Sequence, residues 1–306
     1  MKVTSMKIRF SKLIALSVSL TLCACASSCS AGTEEKETSS APAGLNLKAD
    51  IDKTNFMVTL PSDRYNLTES DRQTLLSAAS VATAKCAREK LGIPWVGWRI
   101  TDMADGKNIA FTEFGPWTKA LATQNAFDNP SLTTTHTQKP ANHPGNLNGM
   151  IPDDQVKKMR DTCKDEPDVS KFEFENIAPS GPWTTPLANT RYELMKDQRA
   201  QAVVKEIEQC YAEKGLQSKK EAPGYVEGFT AEDRTPQAFA AAIKAAECQE
   251  KLNATPRLVE IWAELQAPII TKYADELIAQ RQKIDKTLSD AKEYINAHPE
   301  LFELPK

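Results

Sequence analysis

Apolar positions recur at helical spacing in two long stretches of the chain, and a glycine closes each stretch. The first predicted helix is capped by Thr68 or Ser70 and ends at Gly92, and the second fills roughly residues 189–214 before Gly215. Ser and Thr side chains accept hydrogen bonds from the free N–H groups of a first turn, and glycine readily adopts the left-handed conformation that ends a helix. Both stretches are therefore predicted as helices.

Two Thr-Pro pairs mark further helix starts, because Thr suits the N-cap and Pro suits the first helical position. Thr235-Pro236 opens a predicted helix of about 17 residues, and Thr255-Pro256 opens one of about 40 residues. A shorter helix is predicted over residues 153–164.

Residues 92–188 are rich in Pro, Trp and Asn and show little periodicity. Only residues 56–60 are predicted to be extended, because no other run alternates apolar and polar residues well enough for a strand. Two short segments have the same sequence, Gly115-Pro116-Trp117-Thr118 and Gly181-Pro182-Trp183-Thr184. A weaker similarity joins the segments around Cys86 and Cys210, but the number of residues between its two copies is different. We therefore infer no duplication, and the predicted class is mainly α.

The last predicted helix, Pro256 to Ala297, would be about 63 Å long, so in a compact domain it must kink or project. Pro268 is the predicted hinge, because it lacks an N–H group and clashes with the carbonyl of Glu264. Apolar residues then repeat every seven positions. They are Ile270, Leu277, Ile284 and Ala291, interleaved with Ala274, Arg281, Leu288 and Ile295. A single apolar stripe implies that one face of the helix is covered, so the segment is expected to pack along the cysteine-bearing helices. The alternative is a projecting arm that pairs with a helix of a partner protein.

The first 24 residues have the organisation of a signal peptide, with four basic residues before an apolar run over residues 13–22. Leu22-Cys23-Ala24-Cys25 follows and resembles a bacterial lipobox, in which the last cysteine receives a diacylglycerol before cleavage. Cys25 is the predicted lipidation site. Cys29 is the rival, although it lacks an aliphatic residue three positions earlier, and ordinary secretion after Ala24 or Ala26 is the other alternative.

Removal of this leader leaves 34 basic residues against 41 acidic ones, a net charge of −7 that disfavours nucleic acid and other anionic partners. Residues 25–47 are mostly small and polar, so they are predicted to form a flexible tether. Residues 48–306 are the predicted helical domain, held by two acyl chains at the extracytoplasmic face of the cell membrane. A composition of 41% hydrophobic and 26% charged residues fits a soluble globular domain.

Four cysteines of this domain lie on predicted helices: Cys86, Cys163, Cys210 and Cys248. An exported protein meets an oxidising environment, so two disulfides are expected, and alanines beside Cys86 and Cys248 would let helices approach closely. The sequential pairing, Cys86–Cys163 and Cys210–Cys248, is predicted because it gives one disulfide to each pair of successive cysteine-bearing helices. Buried free thiols are the alternative. The predicted fold is thus a mainly α, disulfide-braced helical bundle with a Pro/Trp-rich irregular segment and a long C-terminal helix.

The order of these elements carries a resemblance. Leu60-Pro61-Ser62-Asp63-Arg64-Tyr65 precedes the Cys86 helix, Phe114-Gly115 precedes a Pro- and Asn-rich stretch, and the Cys210 helix, the Cys248 helix and a long charged helix follow. This succession, over most of residues 55–297, resembles a group of uncharacterised actinobacterial lipoproteins. The resemblance implies an extracytoplasmic anchor and paired cysteines, and it implies no activity and no site residue.

Candidate catalytic and metal-ligating residues are few. His136 and His143 lie in a polar loop without zinc-site spacing and are expected to be solvated, and His298 is expected to suit the C-terminal end of a helix. The sequence contains no nucleophile elbow, phosphate-binding glycine loop or dinucleotide fingerprint. No catalytic residue, metal or cofactor is therefore assigned.

Aromatic residues crowd into the irregular region: Trp95, Trp98, Phe111, Phe114, Trp117 and Phe127. Tryptophan often faces ligands because it joins a large apolar area to a polar N–H group. Trp95, Trp98 and Trp117 are therefore the candidate platform for a saccharide or a peptide, and closure of the core is the alternative role.

The leading hypothesis is a membrane-anchored extracytoplasmic lipoprotein, not an enzyme, that binds an unknown protein or cell-wall ligand. A cell-wall-active hydrolase is the alternative, in which carboxylates such as Asp102, Glu113 or Asp128 would converge in a cleft with one pKa raised by burial. A transporter-associated substrate-binding lipoprotein is a third possibility, and the missing alternation of strands and helices argues against its usual two-lobed form.

Overall fold

The structure is a computed structural model that describes residues 45–103, 110–128 and 141–306. The chain divides into two units, Met1–Ser40 and Ala41–Lys306, and every described residue belongs to the second. The predicted signal peptide, both candidate lipidation sites (Cys25 and Cys29), nearly all of the predicted tether and His136 lie outside the described residues.

Helices dominate the described part of the chain, as predicted. They are α1 (Glu69–Leu91), α2 (Lys119–Asn125), α3 (Pro144–Asn148), α4 (Asp153–Cys163), α5 (Pro167–Ser170), α6 (Phe174–Ile177), α7 (Thr184–Lys196), α8 (Gln198–Glu213), α9 (Pro236–Leu252), α10 (Ala254–Lys272) and α11 (Ala274–Ala297). Short 3-10 turns cover Pro61–Tyr65, Ile100–Asp102 and Pro299–Phe302. Two strands, β1 (Asp50–Asp52) and β2 (Met57–Thr59), pair antiparallel with Ile51 opposite Val58.

The ends of α1 follow from its capping residues. The Thr68 hydroxyl accepts the Asp71 N–H at 3.1 Å, and the Asp71 carboxylate accepts the Thr68 N–H at 3.0 Å. Gly92 closes the helix in the left-handed conformation, with φ 64°. Because this reciprocal cap and this glycine are local features, they could be predicted from the sequence.

The predicted single helix over residues 189–214 is wrong, because α7 and α8 are separate helices. Asp197 lies between them with φ −65° and ψ 127°, and its side chain accepts the Arg199 N–H at 2.8 Å as the N-cap of α8. An aspartate side chain is short enough to accept a hydrogen bond from a nearby backbone N–H, and this bond competes with the hydrogen bonds that would continue the helix. At this position the cap prevails over the continuous apolar periodicity.

The predicted C-terminal helix of about 40 residues is also two helices, the predicted cap is wrong, and the break between the two helices is not at the predicted hinge. Asn253, with φ 47°, joins α9 directly to α10, so Thr255 lies inside α10. Pro268 also lies inside α10, and the helix is interrupted at Tyr273, with φ −114° and ψ 30°. Pro268 and Glu264 are both exposed residues. The Glu264 carbonyl, which has no N–H partner at Pro268, can therefore bond to water.

The apolar stripe of α11 is covered by α1, the helix that carries Cys86. Ile284 and Leu288 pack with Leu75 and Ala78 in one buried cluster. Arg281 interrupts the stripe and donates to the Asp285 carboxylate one turn further on. The segment therefore packs on the domain as expected.

The largest core lies among α8, α9 and α10. Small side chains on α9 let its neighbours approach, and five of its alanines are buried: Ala238, Ala241, Ala242, Ala245 and Ala246. Cys210 on α8 pairs with Cys248 on α9 in this core, with Cα atoms 5.8 Å apart. Cys86 on α1 pairs with Cys163 on α4, with Cα atoms 5.9 Å apart. Both predicted pairings are confirmed, and the fold is a disulfide-braced helical bundle.

Candidate ligand-binding cleft

A cleft of about 310 Å³ opens between three segments that are far apart in the sequence. They are residues 60–66 around the first 3-10 turn, residues 179–188 at the start of α7, and residues 262–266 in α10. The lining residues are Leu60, Ser62, Asp63, Asn66, Pro179, Trp183, Thr184, Leu187, Ala188, Trp262 and Gln266. We refer to it as the Trp183 cleft.

The 3-10 turn on one side of the cleft is fastened to α10. Asp63 Oδ2 accepts the Leu60 N–H at 2.8 Å, which closes the turn on itself. The Ser62 N–H donates to Gln266 Oε1 at 3.1 Å. Because Gln266 is only 2% exposed, this bond ties the turn to a side chain that packing holds in place.

Trp183 lines the cleft from the N-terminal end of α7. Its ring lies over Gly181 so closely that a Cβ atom at position 181 would sit 2.3 Å from two ring carbons. The ring of Tyr273 is 6.3 Å away, and Leu45 and Leu47 from the end of the predicted tether pack in the same apolar cluster. Glycine at position 181 therefore permits this placement of the indole.

Trp262 contributes a ring whose polar end is already satisfied. Its Nε1–H donates to Thr190 Oγ1 at 2.8 Å. The ring of Phe114 meets it edge-on at 6.4 Å, and the Arg191 guanidinium lies 5.9 Å from its centroid. The indole is thus fixed from several sides, and its partly exposed ring is an apolar surface of the cleft.

Two buried side chains of the cleft carry N–H groups without a hydrogen-bond partner among the described residues, namely Trp183 Nε1 and Gln266 Nε2. Trp183 is 7% exposed and Gln266 is 2% exposed. Within the described ranges, the only fully enclosed side-chain polar atom that lacks a partner is Ser218 Oγ, so the two N–H groups must reach solvent. Both residues line the cleft, so the cleft offers two donor positions that water or a ligand acceptor can occupy.

The lining of the cleft contains one carboxylate and no basic side chain. Partial desolvation raises the pKa of Asp63, against the Leu60 N–H and the Arg64 guanidinium, which lower it. Arg64 itself pairs with Asp50 at 2.6 Å. Asp63 Oδ2 accepts the Leu60 N–H, and Oδ1 has no partner in the described part of the chain, so it is an open acceptor position.

A second cleft, of about 360 Å³, is lined by Trp117 and is referred to as the Trp117 cleft. The Nε1–H of Trp117 donates to the Phe111 carbonyl at 2.7 Å. Gln249, another buried lining residue, donates to the Phe114 carbonyl at 2.8 Å and accepts the Thr255 hydroxyl at 3.3 Å. The buried donors of these two side chains are therefore paired within the protein.

The structure does not bring the three tryptophans of the predicted platform to the Trp183 cleft. Trp117 lines the other cleft, and Trp95 packs beside Leu301 and Phe302 near the C-terminus. Trp98 meets the ring of His143 edge-on, with centroids 5.1 Å apart. These rings close parts of the core around α1 and α2.

Each of the three candidate carboxylates has its own partner. Asp102 accepts the backbone N–H three residues before it at 2.8 Å. Glu113 pairs with Arg191, and Asp128 pairs with Arg234. None of the three lines the Trp183 cleft, so the acid that faces this cleft is one that the sequence did not single out.

His143 is buried, so the prediction of a solvated loop histidine is wrong for it. Its Nδ1 accepts the Gly145 N–H at 3.0 Å, which places the proton on Nε2, 3.0 Å from the Asp102 carbonyl. His298 ends α11 as predicted, with Nδ1 2.9 Å from the Tyr294 carbonyl. Among the described residues, no group of three or more His, Cys, Asp or Glu could hold a metal ion.

Comparisons with known proteins supply no information on the cleft. A scan against protein-family models, a search of the curated proteins and a search of the solved structures each found no match. In the part of the chain that the structure describes, no helix has both the length and the apolar character that a membrane crossing requires.

Sequence reasoning missed Trp183, Trp262, Gln266 and Asp63 as members of one site. A partial signal exists for Trp183, because the segment around it repeats the one around Trp117. Trp262 and Gln266 lie one turn apart on a face of α10, a spacing that any core-facing helix also shows.

Proposed function

We propose that the protein is a lipid-anchored extracytoplasmic binding protein whose ligand occupies the Trp183 cleft. The observation that carries the binding role is the pair of open donors, Trp183 Nε1–H and Gln266 Nε2–H, on side chains that are otherwise buried. Both N–H groups reach solvent in the free protein, and a ligand acceptor that replaces water at each of them contributes about 0.5–1.5 kcal/mol per hydrogen bond. The ligand is a small molecule or a protruding part of a cell-wall or protein partner.

The proposed anchor rests on the leader pattern, in which a basic start and an apolar run precede Leu22-Cys23-Ala24-Cys25. Both disulfides support export, because such bonds persist outside the cytoplasm. A diacylglycerol supplies the two acyl chains that stable membrane attachment needs.

Metabolic labelling with an alkyne-tagged fatty acid tests the anchor on the full chain. We expect the label in the membrane fraction, and we expect Cys25→Ser to abolish it while Cys29→Ser leaves it unchanged. Loss of the label in Cys29→Ser alone would move the lipid to Cys29. Unlabelled protein in the culture supernatant would contradict the anchor.

A variant that fills the cleft tests the binding role without knowledge of the ligand. Ala188 is exposed on the rim of the cleft, so Ala188→Trp adds a ring there with little cost to the core. Ala212, exposed on α8 outside the lining, supplies the control Ala212→Trp. In a thermal-shift screen of small molecules, we expect hits that raise the melting temperature of the wild type and Ala212→Trp but not of Ala188→Trp. Hits that stabilise all three proteins equally would contradict the site.

A further inference from the structure

The open hydrogen-bonding positions of the Trp183 cleft define the polar chemistry of its ligand. Trp183 Nε1–H and Gln266 Nε2–H need acceptors, and Asp63 Oδ1 needs a donor. A ligand that satisfies all three must donate and accept hydrogen bonds within one small volume. Hydroxyl groups do both, because each carries one donor and two acceptor lone pairs.

The rest of the lining adds an apolar requirement and a size. Trp183, Leu187 and Trp262 line the same cleft, so the ligand needs an apolar face as well as polar groups. The cleft volume of about 310 Å³ is at the lower end of the range of about 300–1,000 Å³ for small-ligand sites. One or two rings therefore fit.

Charge and hydrogen bonding together disfavour three other classes of ligand. An anion would face Asp63 with no basic side chain in the lining, since Arg64 is engaged by Asp50. A simple cation would suit Asp63 and the aromatic rings but has no acceptor for the two N–H groups. A proline-rich peptide offers acceptors, but proline has no N–H to donate to Asp63.

We propose that the Trp183 cleft binds an uncharged saccharide of one or two rings. The C–H face of a sugar ring stacks on the indoles, its hydroxyl oxygens accept from Trp183 and Gln266, and a hydroxyl donates to Asp63. This inference rests on the proposed binding role of the cleft and adds the class of ligand.

Isothermal titration calorimetry tests the ligand class. The full chain is kept in a detergent without a sugar headgroup and titrated with neutral mono-, di- and trisaccharides of glucose, galactose, mannose and N-acetylglucosamine. We expect at least one of them to bind. Gln266→Glu keeps the acceptor for the Ser62 N–H but removes the open donor, so we expect it to weaken that binding about tenfold or more. Gln282→Glu, at an exposed position of α11, is the matched control and should leave affinity within about twofold.

Trp183→Phe provides a second variant should Gln266→Glu fold poorly, because it removes the other open donor and no hydrogen bond within the described residues. The expected loss is again about tenfold.

Absence of binding by every neutral saccharide, or tighter binding of a blocked hexaproline peptide, would overturn the saccharide inference. The proposed site would stand in that case if Ala188→Trp still blocks other ligands. Saccharide binding that Ala188→Trp leaves unchanged would overturn both.

Discussion

Trp117 and Trp183 stand in the same local sequence, Gly-Pro-Trp-Thr, and each lines a cleft. Both rings are almost completely buried. The Trp117 indole N–H donates to a backbone carbonyl six residues earlier, whereas the Trp183 indole N–H has no partner among the described residues. Two segments with one local sequence thus differ in the property that matters for binding.

The same difference separates the two buried glutamines. Gln249 in the Trp117 cleft is bonded through both ends of its amide, and Gln266 in the Trp183 cleft is bonded through its oxygen alone. A cleft whose donors and acceptors are paired internally is a gap in the packing. A cleft whose buried donors lack protein partners has positions that a ligand can occupy. The aromatic residues that crowd together in the sequence therefore belong to the core. Among the described residues, the unpaired donors of buried side chains mark the Trp183 cleft as the candidate site.

The largest effect on stability is expected from Trp117→Ala, which removes a buried ring and its hydrogen bond to Phe111. The free energy of unfolding should fall by about 3–5 kcal/mol in a urea titration. Trp117→Phe, which retains most of the ring area, should lose less. Binding at the Trp183 cleft should survive in any folded fraction, and unchanged stability of Trp117→Ala would show that this ring is not core.

Gly115→Ala should follow in magnitude. Gly115 has φ +78°, and a Cβ atom there would lie 2.2 Å from the carbonyl oxygen of Gly224. Strained backbone and overlap with another backbone segment together should cost about 2–4 kcal/mol of unfolding free energy. A midpoint of urea unfolding equal to that of the wild type would refute this packing of the two glycines.

Gly181→Ala makes the equivalent change beside the other tryptophan, and its effect should be smaller and local. The added Cβ atom would overlap the Trp183 ring, not a backbone carbonyl, and a side chain can move. We expect a loss of about 1–2 kcal/mol together with loss of ligand binding at the Trp183 cleft. A stability loss as large as that of Gly115→Ala would remove the contrast between the two segments.

Trp183→Phe should have the smallest effect on stability, within about 1 kcal/mol, because the ring is largely retained and no hydrogen bond within the described residues is broken. Thermal unfolding measured beside Trp117→Phe gives the direct comparison. A greater loss for Trp183→Phe than for Trp117→Phe would indicate that the Trp183 indole N–H has a partner within the protein.

Local features of the fold could be predicted, and of the long-range features only the cysteine pairing and the packing of α11 on a cysteine-bearing helix could. The ends of α1 and the Thr235 start of α9 depend on neighbouring residues alone, and the sequential cysteine pairing fits helices that adjoin in space. The interruption at Tyr273 follows from no proline or glycine at that position. His143 was expected in solvent, yet it is buried, and its ring nitrogens bond to the Asp102 carbonyl and the Gly145 N–H.

The Trp183 cleft lay beyond sequence reasoning for the same reason. Its walls come from residues near 60, 183 and 262, and no periodicity links them. The repeated Gly-Pro-Trp-Thr segment points to two tryptophans, but only the tertiary structure shows that one indole N–H meets a carbonyl and the other does not. The open amide of Gln266 likewise depends on the Ser62 N–H reaching its oxygen.

Hydrogen exchange of the indole N–H groups, followed by NMR on the ligand-free protein, tests the central claim most directly. Trp117→Phe, Trp183→Phe and Trp262→Phe assign the three signals by their disappearance. The Trp183 N–H is predicted to exchange at least about a hundredfold faster than the N–H groups of Trp117 and Trp262, because those two must break a hydrogen bond by local opening before they exchange. Equal protection of Trp183 and Trp117 would mean that the protein already satisfies the Trp183 donor, and it would contradict the account of the cleft as a ligand site.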